Sequence, residues 1–381
     1  MDYPRDPHEL RREDRKRLMR ALAPLSGVIV LVTALILLIR AGGDRTGDLP
    51  PLPPRQPLPD TTWTNRIGAW AEASDPLNSL IIVHQDTIIT EQYFRGMRAD
   101  RQVNIKSSSK SVMAALIGIA LEEGFLESTD QRVVEFIPSY FNGGSDPRKQ
   151  EITIGHLLSM SSGLEGTSFG NYDAWIMSSN WIRHALDRQL LSDPGTRMEY
   201  STGNTHLLSV ILTEASGMNT LSFSRRYLFD PLGIKVLAWD RDPLGYYMGG
   251  NNIHLSPREM LRFGQIYLNG GRHGDRQILS EEWVERSWTP VIRWGYSGRG
   301  YGYGWWFRSM RGYDVWYASG YGGQYIFVVP SLDLIVVTTC SLDAGRRRRP
   351  PVVNTLERMI IPAILDRIRN RELALYDLLT V

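Results

Sequence analysis

An α/β fold of the α+β kind is predicted: an antiparallel sheet completed by both ends of the chain and flanked by helices, with an inserted, mostly helical region. Three observations predict it. Strand-like segments gather early (79–96) and again late (301–340), and helical patterns fill the stretch between them. Strands also fail to alternate one-for-one with helices, as a doubly wound parallel sheet requires.

The globular composition starts near Thr62. "SLIIVHQDTIITEQYFRG", Ser79 to Gly96, reads as a hairpin with its polar turn at Gln85 and Asp86. "NIKSSSKSVMAALIGIALEEG" follows, Asn104 to Gly124. Its helix is apolar nearly all round, which belongs in an interior, and Gly124 ends it. "ITIGHLLSMSSGL" predicts a helix with Gly163 as its C-cap, and "THLLSVILTEASG" a helix stopping at Gly217. Ser256, Pro257 and Glu259 form a capping box with proline in the first helical position. The helical region runs from about 130 to 255. Strands return in "YGYGWWF", "YDVWYASGYGGQYIFVVP" and "LDLIVVTTC", and "VVNTLERMIIPAILDRIRN" closes the chain as an amphipathic helix.

Ahead of this domain (62–381) lie three shorter segments. Residues 1–20 are basic, with Arg11, Arg12, Arg15, Lys16, Arg17 and Arg20 among them. Residues 21–39, "ALAPLSGVIVLVTALILLI", carry no charge and are long enough to span a bilayer core as a helix. The positive-inside rule keeps the N-terminus cytoplasmic and the catalytic domain periplasmic or extracellular. A cleaved signal peptide is the competing reading; the length of the run and the mediocre site "RAGG" favour an uncleaved anchor. Residues 40–61 are proline-rich and read as a stiff spacer.

Composition excludes more than it selects. The 381 residues carry a formal net charge of +2, which argues for no particular partner, and no nucleic-acid partner is expected. The run Arg346–Arg349 reads as a solvated loop. One cysteine, Cys340, permits no internal disulfide and reads as a small buried hydrophobe. The seven histidines show no zinc spacing, so no metal or other cofactor is expected, and His156 and His206 read as structural. There is no G-x-S-x-G elbow.

The chemistry gathers on Ser107 and Lys110. Three residues apart, their side chains share a helical face. Ser107 falls near the positive end of the helix dipole. A buried lysine loses pKa by desolvation and accepts a proton as a neutral amine, which is what activating a serine without histidine requires. S-x-x-K alone is a weak signal; the apolar run after Lys110 strengthens it. Tyr200 and Thr202 stand in a turn before the "THLLSVIL" helix, and Ala318-Ser319-Gly320 opens a glycine-rich stretch on a strand.

In this order, and together with "LLSMSSGL", "LSPREMLRFGQIYLNGG" and "GGQYIFVVPSLDLIVVTT", these segments resemble the β-lactamase-like serine hydrolases. That superfamily includes class C β-lactamases, D-alanyl-D-alanine peptidases, esterases and 6-aminohexanoate-dimer hydrolases. The resemblance spans roughly Thr62 to the C-terminus. It implies that Ser107 is the acylated nucleophile, Lys110 its proton partner and Tyr200 the second acid/base group. Lys110 is placed to lower the phenol's pKa. The oxyanion would lie between the backbone N–H of Ser107 and one after Gly320, making Ser319, Gly320 and Tyr321 the third motif. Thr202, Tyr172, Asp173, Trp181, Asn251 and Asn252 are candidates for contact with substrate.

Two departures bear on specificity. Tyr200-Ser201-Thr202 stands where class C enzymes have Y-x-N. Ala318-Ser319-Gly320 stands where penicillin-recognising enzymes have K-T-G, which removes a favoured partner for a β-lactam carboxylate. The resemblance therefore points to a small ester, amide or short peptide-like substrate. A β-lactamase or D-alanyl-D-alanine peptidase is the alternative. A catalytically silent penicillin-binding-like module is another, which retention of Ser107, Lys110 and Tyr200 together argues against.

Overall fold

The computed structural model describes residues 62–142, 146–294, 298–342 and 351–379. The basic segment 1–20, the apolar run 21–39, the spacer 40–61 and Arg346–Arg349 lie outside the described residues. Among the described residues no helix is long and apolar enough to cross a membrane.

The centre is an eight-stranded sheet whose neighbours are all antiparallel. In chain order its strands are β1 (Leu77–His84), β2 (Thr87–Tyr93), β3 (Ile292–Trp294), β4 (Arg299–Tyr301), β5 (Trp306–Met310), β6 (Tyr313–Gly320), β7 (Gln324–Val329) and β8 (Leu334–Cys340). The spatial order is β2-β1-β8-β7-β6-β5-β4-β3, so the first strand pairs with the last. At the β1–β2 turn Gln85 and Asp86 both take left-handed backbone (φ 50° and 52°), the geometry a tight two-residue hairpin favours.

Period-two alternation makes the sheet double-sided. Ile81, Val83, Ile326, Val328, Ile335 and Val337 face one core. Their neighbours Leu80, Ile82, Phe327, Val329, Leu334 and Val336 face the other. The second core is closed by α1 (Thr62–Ala73) through Ile67 and Ala71, and by the C-terminal segment through Leu356, Ile360 and Ile364. The first core holds α2 (Ser109–Glu122), α3 (Thr202–Ser216) and α4 (Pro257–Leu268). Every residue of α2 from Ser109 to Ala120 is buried, as its lack of a polar face requires.

The helix ends follow the expected chemistry with one exception. Gly124 and Gly217 take φ of 75° and 67° just after α2 and α3. The Ser256 hydroxyl accepts from Glu259 N (3.3 Å), while the Glu259 carboxylate accepts from Ser256 N (2.8 Å). The exception is Gly163, which is not a C-cap. The short helix Ile154–Leu158 stops at Ser159, and Met160 at φ 60° already turns the chain. Gly163 instead serves a close approach, since a Cβ there would lie 2.2 Å from Ser192 O. Cys340 is buried, and burial pushes its thiol up to about 12.

Candidate active site

A 3₁₀ turn, Lys106–Ser108, leads into α2 and carries Ser107. Neighbouring hydrogen bonds hold that turn on three sides. Ser108 Oγ donates to Gln324 O at the start of β7 (2.9 Å), and Ser109 Oγ donates to Lys106 O (2.7 Å) while accepting from Ile253 N (3.3 Å). Ser111 Oγ donates to Gly304 O (2.6 Å). Of the four serines, three are thus committed to the scaffold, and Ser107 faces a cavity.

The Lys110 side chain lies directly beneath, 1% exposed. Its Nζ lies 3.3 Å from Ser107 Oγ, 3.2 Å from Thr202 Oγ1 and 2.7 Å from Gly250 O. Desolvation lowers its pKa to about 7. A neutral amine has two N–H donors and one lone pair. With the donors spent on Gly250 O and Thr202 Oγ1, the lone pair is left for the Ser107 hydroxyl.

Tyr200 stands over this amine, with Lys110 Nζ 5.0 Å from its ring centroid. Its hydroxyl hydrogen-bonds with Ser107. Burial raises the phenol to about 12, and the bond with Ser107 pulls the other way. The expectation that Lys110 lowers this pKa is corrected. Burial of the phenol itself outweighs the neighbouring amine, which the same burial leaves only about half charged at neutral pH. Tyr200 therefore keeps its proton at neutral pH. The Tyr200 ring stacks on Trp306 at 5.4 Å and 30°. Thr202 opens α3; its backbone N–H donates to Ser168 Oγ (2.9 Å).

The end of β6 runs against the nucleophile turn. A Cβ on Gly320 would lie 2.2 Å from Ile105 O, so only glycine lets strand and turn meet. Ser107, Ser319, Gly320 and Tyr321 consequently line one cavity of about 550 Å³. Tyr172, Asp173, Tyr200, Thr202 and Asn251 line it as well, and Asn251 Nδ2 donates to the Tyr172 hydroxyl (3.0 Å).

Two candidates fall elsewhere. Trp181 is 6% exposed, packed on Trp175 (4.8 Å) and His206 (5.4 Å), outside the cavity lining. Asn252 points away from the cavity, donating to Asp240 Oδ2 (2.6 Å) and accepting from Asn104 Nδ2 (2.9 Å). It is a strut between loops. His206 is structural, its Nε2 3.0 Å from Asp242 Oδ2 with both side chains fully buried. His156 Nδ1 accepts from Thr153 N at a helix start. Among the described residues no cluster of His, Cys, Asp or Glu is arranged to hold a metal.

Sequence reasoning missed four contributors. Gly250 O, the shortest Lys110 contact, is a backbone atom. Its signal was the doublet Gly249-Gly250, where Cβ atoms would lie 2.0 Å from Thr205 O and 2.6 Å from Thr205 Oγ1. Trp306 and Phe169 flank Tyr200 as aromatic walls. Lys106, immediately before Ser107, also lines the cavity.

The chain is similar to known proteins over much of its length. The family profile described as Beta-lactamase matches residues 76–353 of the 381. The chain is 23% identical over 292 residues to the 6-aminohexanoate-dimer hydrolase of Paenarthrobacter ureafaciens, covering 69% of this chain and 72% of that one. Against curated relatives from Alkalihalophilus pseudofirmus and Bacillus subtilis, the matched region spans only 62% and 58% of the relative's length. Its fold is similar to that of a D-stereospecific amidohydrolase from Streptomyces sp. (TM-score 0.62, 18% identity, 79% of this chain and 99% of that one). It is also similar to that of an octameric penicillin-binding protein homologue from Pyrococcus abyssi (TM-score 0.62, 21% identity, 77% and 76%).

Proposed function

This chain belongs to the Beta-lactamase family, and from that premise we propose that it is a serine hydrolase working through an acyl-enzyme on Ser107. The observation that carries the reading is the Lys110 amine, desolvated to a pKa of about 7, 3.3 Å from a serine hydroxyl that faces a cavity. In the acylation step neutral Lys110 takes the Ser107 proton while Oγ attacks the substrate's carbonyl carbon. The developing oxyanion is met by the backbone N–H groups of Ser107 and Tyr321. As the C–N or C–O bond breaks, Tyr200 gives its proton to the leaving group and regains one from Lys110. Water, activated by the same groups, then releases the acid.

The substrate is a small ester or amide. Likeness to a 6-aminohexanoate-dimer hydrolase and fold likeness to an amidohydrolase support the amide side of that class. A panel of p-nitrophenyl esters, p-nitroanilides and the β-lactam nitrocefin, run with wild type and Ser107→Ala, tests the reading. Turnover of an ester or anilide that Ser107→Ala abolishes is expected. Equal turnover by Ser107→Ala overturns the proposal, and nitrocefin turnover rivalling the best ester promotes a β-lactamase. The charge-free run 21–39 and its basic flank support a single-pass anchor that leaves this domain outside the cytoplasm. Protease treatment of cells stripped of any outer membrane that spares the domain would contradict that placement.

A further inference from the structure

The third motif, Ala318-Ser319-Gly320, supplies no cation to the cleft, and Ala318 is fully buried. A cation reaches the cavity from another place. Lys106 lines it directly beside Ser107, held in left-handed backbone (φ 52°) by a hydrogen bond from its own N–H to Asn104 Oδ1 (2.8 Å). We infer that Lys106 is a specificity-determining residue that receives a carboxylate on the substrate, in place of a third-motif cation.

Four observations converge on this. A non-glycine residue at positive φ is uncommon, and here the strain is kept at the residue preceding the nucleophile. Among the described residues the Lys106 ammonium makes no hydrogen bond or ion pair; Asp240, whose Oδ2 already accepts from Asn252 Nδ2, and Tyr321 act on it only at longer range. Burial lowers its pKa, so pairing with an anion would recover part of the desolvation cost. Tyr321, near enough to act on Lys106, belongs to the third motif and lines the same cavity, so the ammonium lies on the side of the cleft that motif occupies.

A single lysine is a compact point charge, suited to one monoanion. A phosphate site usually presents several donors or an arginine fork. The aromatic lining from Tyr172, Tyr200, Trp306 and Tyr325 suits a short carbon chain between that carboxylate and the scissile carbonyl. The expected substrate is therefore a carboxylate-bearing linear ester or amide. This deepens the hydrolase reading and rests on it.

The test compares the full chain with Lys106→Gln and Lys106→Arg on two esters of equal acyl-chain length, the mono-p-nitrophenyl ester of glutaric acid and neutral p-nitrophenyl valerate. Lys106→Gln is expected to raise KM for the anionic ester about tenfold relative to the neutral one, with Lys106→Arg restoring most of the preference. Equal effects on both esters, or no effect on either, overturn the inference. Equilibrium binding of glutarate monoamide and glutaramide to Ser107→Ala, followed by tryptophan fluorescence, separates this inference from the hydrolase reading. If no ester is cleaved yet the anionic ligand binds better, and Lys106→Gln abolishes that preference, only the hydrolase reading falls. If both ligands bind alike, the carboxylate site falls.

Discussion

Replacing Lys110 by methionine should abolish activity and yet stabilise the protein, with a pH dependence that identifies the cause. The wild-type amine is held at about 7 against an ordinary 10.5, and desolvation alone accounts for the direction. In the unfolded chain that lysine is protonated at pH 7. Folding must give up much of its charge, at a cost of about 4 kcal/mol. Methionine fills similar volume without this cost but strands the Gly250 carbonyl, a loss of about 1–3 kcal/mol; Thr202 Oγ1 keeps Ser168 as a partner. The variant should therefore be more stable than wild type by about 2 kcal/mol at pH 7. The sign follows from proton counting. Between the folded and unfolded pKa values the unfolded state holds more protons, so wild-type stability rises with pH from about 7 to 10.5. At pH 10 the charge cost has fallen to about 1 kcal/mol, and the variant should then be slightly less stable than wild type. Urea unfolding at both pH values measures this. A stability difference of the same sign and size at pH 7 and pH 10 would refute the desolvation argument.

Three further outcomes follow from the same geometry. The pH profile of kcat/KM should rise through about 7 as Lys110 becomes neutral and show no falling limb below pH 10, because Tyr200 holds its proton to about 12. Tyr200→Phe keeps the stack on Trp306 and removes the proton donor, so p-nitroanilide turnover should drop about 10²–10⁴-fold. Turnover of p-nitrophenyl esters, whose leaving group needs no proton, should drop far less. Gly320→Ala forces a methyl against Ile105 O, and should cost both activity and thermal stability. Full activity in that variant would show that β6 does not hold the nucleophile turn.

Much of the site was legible because its logic is local. Ser107 and Lys110 share a helical face by spacing alone, and the unbroken apolar run through Ala120 already required that face to be inside. The hairpin at Gln85 and Asp86 and the Ser256 capping box are short-range devices of the same kind. What escaped depends on contacts distant in sequence. Gly250 O meets Lys110 across 140 residues, and a backbone acceptor has no side-chain signature. Trp306, on β5, meets Tyr200, in the turn before α3, only through tertiary packing. Trp181, set in a polar segment, looked like a cleft residue until its neighbours Trp175 and His206 were in view. The error over Tyr200 was one of coupled electrostatics, since burial raises the phenol directly and also weakens the charge invoked to tune it.

The central claim is a covalent intermediate on Ser107. Mass spectrometry of the intact protein after brief exposure to a slowly hydrolysed p-nitrophenyl ester, with peptide mapping of the adduct, addresses it directly. The account predicts one acyl group per chain, on the peptide containing Ser107, absent from Ser107→Ala and forming faster as the pH rises through about 7. An adduct on another residue, or ester turnover that survives in Ser107→Ala, would contradict it.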